Sequence, residues 1–321
     1  MPDDDPDDPR ADGPAPGTGR APDPGAVARA AAEEASAFAH PAVPPDATAA
    51  YGPHPDQVID FYAPHPPPGA TGAAPLVVVV HGGAWRAPYD RAHLSPFAGY
   101  LARTGLAVAS VEYRRGPGLP AQRGGTGEPA TGPVAGRWPD TLDDVAAALD
   151  ALPALAAAAL PGVDVRRTVV TGHSAGGQLA LWAAARHALP ADSGWRLPRP
   201  PALRGVVALA PIADFATATA LGVCGDAARQ FLGGGPEPYA ARVGYVDPAA
   251  LLPTGIATVV VQGAADLDVP VAVAEAYVAA AAAAGEVVGL TVLPGVGHFP
   301  LIDPAADACA VVAEEIAQLA W

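Results

Sequence analysis

Three residue types that together perform acyl transfer stand far apart in this chain. They are Ser174 in Gly-His-Ser-Ala-Gly (172–176), Asp266 in "VVVQGAADLDVP" and His298 in "LTVLPGVGHFP". A serine hydroxyl is a poor nucleophile until a base takes its proton. An imidazole is such a base, and a carboxylate fixes its tautomer and stabilises the imidazolium that forms. The glycines two before and two after Ser174 suit a nucleophile on a sharp strand-to-helix turn, where neighbouring side chains would collide. The other reading of Ser174 is a helix-capping hydroxyl. Asp268 competes with Asp266 for the acid, and Asp266 lies nearer the end of the preceding apolar run.

Seven other histidines compete with His298. His40, His54 and His65 lie in Pro-rich segments, and His93 and His187 lie on or near helical ones. His173 flanks the serine and is expected to pack or hydrogen-bond locally. His81 opens a fourth stretch, His81-Gly82-Gly83-Ala84-Trp85, directly after the run "LVVVV". Small residues there let backbone N–H groups face a developing oxyanion, with the N–H of Ala175 as a second donor at a helix N-terminus. His81 is expected to brace that turn. Trp85 reads as a structural anchor more than as a substrate contact, and Asp214 as a turn or helix cap.

These groups need a scaffold that brings them together. The continuous apolar run at 76–80 reads as a strand buried on both faces, and 106–113, 168–171, 205–210, 257–262 and 288–293 read as further strands. Helical patterns at 90–103, after Trp138-Pro139, and at 175–187, 270–284 and 305–319 alternate with them. A further strand is expected at 56–63. Such alternation implies an α/β fold with a mostly parallel sheet and helices on both faces. Loops at the carboxyl ends of the strands then line the ligand crevice. Ser174, Asp266, His298 and the turn after residue 80 each follow one of those ends. Residues 114–138 are Gly/Pro-rich and aperiodic and read as a long loop, and 212–252 reads as a connection or a cap.

The ordered motifs resemble the α/β-hydrolase superfamily. Within it they are similar to the carboxylesterase and arylformamidase (kynurenine formamidase) branch, through His-Gly-Gly-Ala-Trp at 81–85, Gly-His-Ser-Ala-Gly-Gly at 172–177 and "AYGPHPDQVIDFYAP" at 50–64. "VEYRR" and "RWPDTLDDVAAAL" resemble hormone-sensitive-lipase-like neighbours. The resemblance spans residues 48–321. It implies an α/β-hydrolase fold, Ser174 as nucleophile, Asp266 as acid, His298 as base, and Gly83, Ala84 and Ala175 as oxyanion donors beside Gly82. The implied activity is hydrolysis of small esters through an acyl-enzyme, or alternatively of formamides. A non-catalytic binding protein on this fold is the remaining reading, and it usually lacks a triad member.

Composition bounds the partners. The 321 residues carry a formal charge of −15, which argues against nucleic acid or anionic membrane as a partner. Half of the residues are hydrophobic, yet no apolar run approaches a membrane span. Residues 1–46 read as an acidic, disordered Pro/Asp-rich tail with a short helix near 26–39, and 47–321 as the catalytic domain. Cys224 and Cys309 lie in no CxxC pair and read as buried thiols in a reducing cytoplasm. No phosphate loop or metal motif is visible, so neither metal nor cofactor is expected.

Overall fold

The computed structural model describes residues 23–65, 72–116 and 135–321. Residues 1–22 of the acidic tail and 117–134 of the long loop lie outside the described residues.

The strands form where β-branched and small apolar residues run unbroken. Strands β1 (Ala47–Ala50), β2 (Val58–Tyr62), β3 (Ala74–Val80), β4 (Ala107–Val111), β5 (Val163–His173), β6 (Gly205–Leu209), β7 (Thr258–Gly263) and β8 (Gly289–Leu293) build one sheet in the order β1-β2-β4-β3-β5-β6-β7-β8. β1–β2 and β2–β4 are antiparallel and every other pair is parallel. This is the α/β arrangement that the alternating pattern predicts.

Side chains on β3 alternate between two apolar layers, as the twofold strand period requires. Leu76, Val78 and Val80 join a core with Leu142 and Val145 of α3 (Asp140–Ala159), Leu179 of α4 (Ala175–Ala184) and Val273 of the later helix Val271–Ala283. Val77 and Val79 join a second core with Phe97 and Leu101 of α2 (Ser95–Arg103) and Val312 and Ile316 of the C-terminal helix Asp307–Ala320. The sheet is thus covered on both faces. No helix among the described residues is long and apolar enough to cross a membrane.

Three features differ from the sequence expectation. β5 begins at Val163, five residues early, because Asp164, Arg166 and Arg167 interrupt the apolar pattern while the backbone still pairs with β3 across a register shift at Pro75/Leu76. Residues 212–252 hold short helices α5 (Phe215–Ala220), α6 (Ala227–Phe231) and α7 (Pro236–Arg242).

The third concerns residues 23–46, which the composition groups with the tail. The helix α1 (Pro24–Phe38) is capped by Asp23, whose carboxylate accepts from the Ala26 N–H at 3.1 Å. It packs against the short turn Phe299–Leu301. Ser36 Oγ and His40 Nε2 both donate to the Asp303 carboxylate, each at 2.6 Å. The folded body therefore includes residues upstream of 47. Its attachment rests on these polar pairs and on Phe38 packing against Phe299 and His93, isolated contacts that leave no periodic signature in the sequence.

Candidate active site

Ser174 sits between β5 and α4 with a left-handed backbone, φ 57°. For a non-glycine residue this conformation costs about 1–3 kcal/mol and persists only where the surroundings enforce it. Here its N–H donates to the Leu209 carbonyl at 2.8 Å, and its carbonyl accepts from the Gln178 N–H at 3.1 Å. The flanking glycines are steric requirements. A Cβ on Gly172 would run into the Gly176 carbonyl, and one on Gly176 into the Val80 carbonyl. Ser174 holds the N-cap position of α4, yet its side chain makes no capping bond. The hydroxyl borders a cavity of about 150 Å³ instead.

His298 borders the same cavity. Its Nδ1–H donates to Asp266 Oδ2 at 2.7 Å, which leaves Nε2 with the lone pair. The Asp266 carboxylate is buried and held by further donors. Oδ1 accepts from the Asp268 and Val269 N–H groups, each at 2.8 Å, and Oδ2 accepts from Gln262 Nε2 at 3.1 Å. The loop after β7 thus wraps its own carboxylate, and Asp266 rather than Asp268 holds the imidazole. Asp268 lies on the cavity wall. Gln262 escaped the sequence reading, although a polar residue ending the apolar run "TVVVQG" was the available signal.

The His173 ring lies against that of His298, tilted by 46° with centroids 4.3 Å apart, and its Nε2–H donates to the His298 carbonyl at 3.0 Å. Burial, reinforced by His298, holds the His173 pKa well below the usual histidine range, so the ring is a neutral brace. Burial also opposes charging of His298, but Asp266, helped by Asp268 and Glu34, outweighs it and raises the pKa above the ordinary value.

The turn after β3 faces Ser174. Gly83, Ala84 and Trp85 are all left-handed, with φ 97°, 51° and 54°. A Cβ on Gly82 would sit 3.2 Å from the Ser174 Cβ and 2.7 Å from the His173 carbonyl, so only glycine allows this approach. Among the described residues, no hydrogen bond occupies the N–H groups of Gly83, Ala84 or Ala175. Trp85 does not reach the cavity. It is fully buried, stacked on Phe231 at 4.8 Å and edge-on to Phe215. Its carbonyl accepts from the N–H groups of Gly116 and Gly136, which fastens both described ends of the long loop to this turn. Trp85 is thus placed as an anchor, and the alternative of a substrate contact does not fit its burial.

His81 braces the turn from behind. Its Nδ1 faces the Gly82 carbonyl and its Nε2 the Glu112 carboxylate, each at 2.9 Å, and Tyr113 stacks on the ring. Burial alone would raise the Glu112 pKa, but His81, Arg115 and the Arg91 N–H outweigh it and pull it down to about 2. A depressed carboxylate pKa stabilises the fold above the unfolded value and ceases to do so as pH falls through the folded one. We expect Glu112→Gln to lose about 3–5 kcal/mol near neutrality, the usual cost of breaking a buried charge pair. The gap between wild type and variant should narrow from about pH 4.5 downward. Urea unfolding at several pH values measures this, and a constant gap would contradict it.

Asp214 caps α5 through the Thr217 N–H at 2.6 Å, as its position suggests. His187 donates to the Thr254 carbonyl, remote from Ser174's cavity wall. Cys309 is buried, whereas Cys224 is half-buried and borders the cavity, the contribution of segment 212–252 to its lining. Phe38, Tyr89 and Phe299, which no sequence pattern singles out, also line the cavity, together with His93. Asp266, Asp268 and His298 place ligand atoms within 4.8 Å of one another. The Asp266–His298 bond and the backbone donors to Asp266 already account for that grouping without an ion.

This elbow on a mostly parallel sheet defines a class of protein. Residues 77–311 match the alpha/beta hydrolase family, and the chain belongs to it. No curated protein sequence matches the chain. Among solved structures it is similar to esterase B from Lactobacillus rhamnosis, with TM-score 0.68, 20% identity, and 92% of each chain covered. It is similar also to a truncated carbohydrate esterase from gut microbiota, with TM-score 0.66, 19% identity, and 85% of this chain and 96% of that one covered. A third is propionate-bound esterase 2 from Thermogutta terrifontis, with TM-score 0.59, 19% identity, and 85% and 92% covered. At these identities the likeness concerns the fold.

Proposed function

We propose that this protein is a serine hydrolase of small carboxylic esters, with Ser174 as nucleophile, His298 as general base and acid, and Asp266 as the residue that orients it. The observation that carries this reading is the 2.7 Å bond from His298 Nδ1 to Asp266 beside a cavity onto which the strained Ser174 opens.

In this mechanism His298 Nε2 takes the Ser174 proton as Oγ attacks the ester carbonyl. The tetrahedral oxyanion is received by N–H groups of Gly83, Ala84 and Ala175, fixed before the reaction begins and so costing no reorganisation. The imidazolium, stabilised by Asp266, then protonates the departing alkoxide. Water repeats the sequence on the acyl-enzyme and releases the acid. Esterases among the structural neighbours, one of them with propionate bound, support a small acyl group.

The panel that tests this comprises acetyl, butyryl and longer aryl esters beside formanilides and N-formylkynurenine. Acetyl and butyryl esters should be hydrolysed, with rates falling beyond about eight carbons as exclusion overtakes the ~0.8 kcal/mol gained per buried CH₂. N-formylkynurenine turned over with kcat/KM about 100-fold above every ester would make the protein a formamidase instead.

The pH profile is a second check. His298 acts as a base only when neutral, so kcat/KM should rise with pH through its pKa. Because Asp266 and Asp268 outweigh burial, the midpoint should lie above the ordinary histidine value of about 6.5. Asp268→Asn removes one of those charges and should move the midpoint down. A flat profile between pH 5 and 8 would count against His298 as the base.

A further inference from the structure

One feature of the cavity is not used by the chemistry above. Five rings follow one another along its wall: Tyr89, His93, Phe38, Phe299 and His298. Successive centroids are 6.2, 5.6, 5.5 and 5.2 Å apart, at interplanar angles of 77°, 40°, 60° and 90°. These are the spacings at which ring edges meet ring faces. Burial, assisted by the neighbouring His81, pushes the His93 pKa down to about 4, so the arc outside His298 is uncharged at working pH. The His93 Nδ1 is buried with no hydrogen-bond partner among the described residues. Phe38, supplied by α1, stays 41% exposed at the middle of the arc. Phe38 alone would mean little, but it completes a continuous aromatic wall of the cavity, along which a ligand ring would cover its exposed part.

The position of His298 tells which part of the substrate meets this wall. The acyl oxygen must point to the turn at 83–84 and the start of α4. The leaving oxygen must point to the imidazole that protonates it. The arc begins at Tyr89, packed against Gly83 of that turn, and ends through Phe38 and Phe299 on the imidazole, so the Phe38–Phe299 half is the part that the alcohol portion meets. We propose that the Phe38–Phe299 half of the arc is a leaving-group subsite for an uncharged aromatic ring, which makes aryl and arylalkyl esters of short acids the preferred substrates. The inference rests on the ester-hydrolase reading and names its substrate class.

The test holds the acyl group constant and changes only the ring. Benzyl acetate and cyclohexylmethyl acetate have alcohols of nearly equal size and leaving ability. The wild-type protein should favour the benzyl ester about tenfold in kcat/KM, mainly through KM, because each ring pair contributes a factor of roughly 2–10. Phe38→Leu keeps apolar bulk without the ring and should shrink the preference to about threefold or less, while Phe38→Tyr retains it. Equal kcat/KM for the two esters in the wild type overturns the subsite. So does a Phe38→Leu variant that loses both activities in proportion, which marks Phe38 as merely structural. Failure of the wild type on both acetates and on p-nitrophenyl acetate overturns the ester-hydrolase reading itself, and is thereby distinguished from failure of the subsite alone.

Discussion

Ser174→Ala is expected to lower kcat on p-nitrophenyl acetate by about 10⁶-fold, the scale of removing a triad nucleophile. In the proposed mechanism the three groups act as a unit, and the size of the effect follows from that. Without Oγ, the Asp266–His298 pair has no proton to take, and the N–H groups around residues 83–84 and 175 can only polarise a carbonyl for attack by water. A residual acceleration of about 10³–10⁴ over the uncatalysed reaction should remain from those donors and from binding. The substitution is sterically mild, since the left-handed backbone at 174 is enforced by the Leu209 and Gln178 hydrogen bonds, which alanine keeps. The variant should therefore fold with wild-type stability. Steady-state rates alongside thermal unfolding measure both quantities. Activity within a few-fold of wild type would remove Ser174 from the chemistry.

Asp266→Asn should cost about 10⁴-fold in kcat. Its amide can present N–H where the carboxylate accepted the Nδ1–H hydrogen bond, and this favours the tautomer with the proton on Nε2, which is useless as a base toward Ser174. The backbone N–H groups of Asp268 and Val269 and the Gln262 amide, all donors to the Asp266 carboxylate, leave little freedom for the loop to compensate. Asp268→Asn is expected to cost only a few-fold, because Asp268 acts on His298 through its charge and not through the bond at Nδ1. The reverse ranking would transfer the orienting role to Asp268.

How much of this was legible in the sequence depends on the kind of signal each residue leaves. The placement of Ser174, Asp266 and His298 beyond strand ends could be read because each follows an apolar run that ends abruptly, and parallel strands gather such ends at one edge of a sheet. The requirement for Gly172 and Gly176 is likewise local and shows in the motif. Residues that act by packing from elsewhere leave no such mark. Phe38 and His40 lie in a segment whose composition resembles a tail, and their contacts with Phe299 and Asp303 are fixed only once α1 has packed on the turn Phe299–Leu301. β1, "ATAA", carries too little apolar character to announce a strand, and its pairing is decided by β2. Trp85 looked ambiguous because a tryptophan beside a reactive turn suits anchor or contact equally well. Only its stacking on Phe231, from the distant helix α6, decides between them.

The most direct test of the central claim is to treat the folded protein with a fluorophosphonate and locate the adduct by peptide mass spectrometry. Ser174 is expected to carry the single phosphonyl group at stoichiometric yield, with labelling slowed on acidification as His298 protonates and absent in Ser174→Ala. A protein that remains unmodified while a control serine hydrolase is fully labelled, or an adduct on any other residue, would contradict the account.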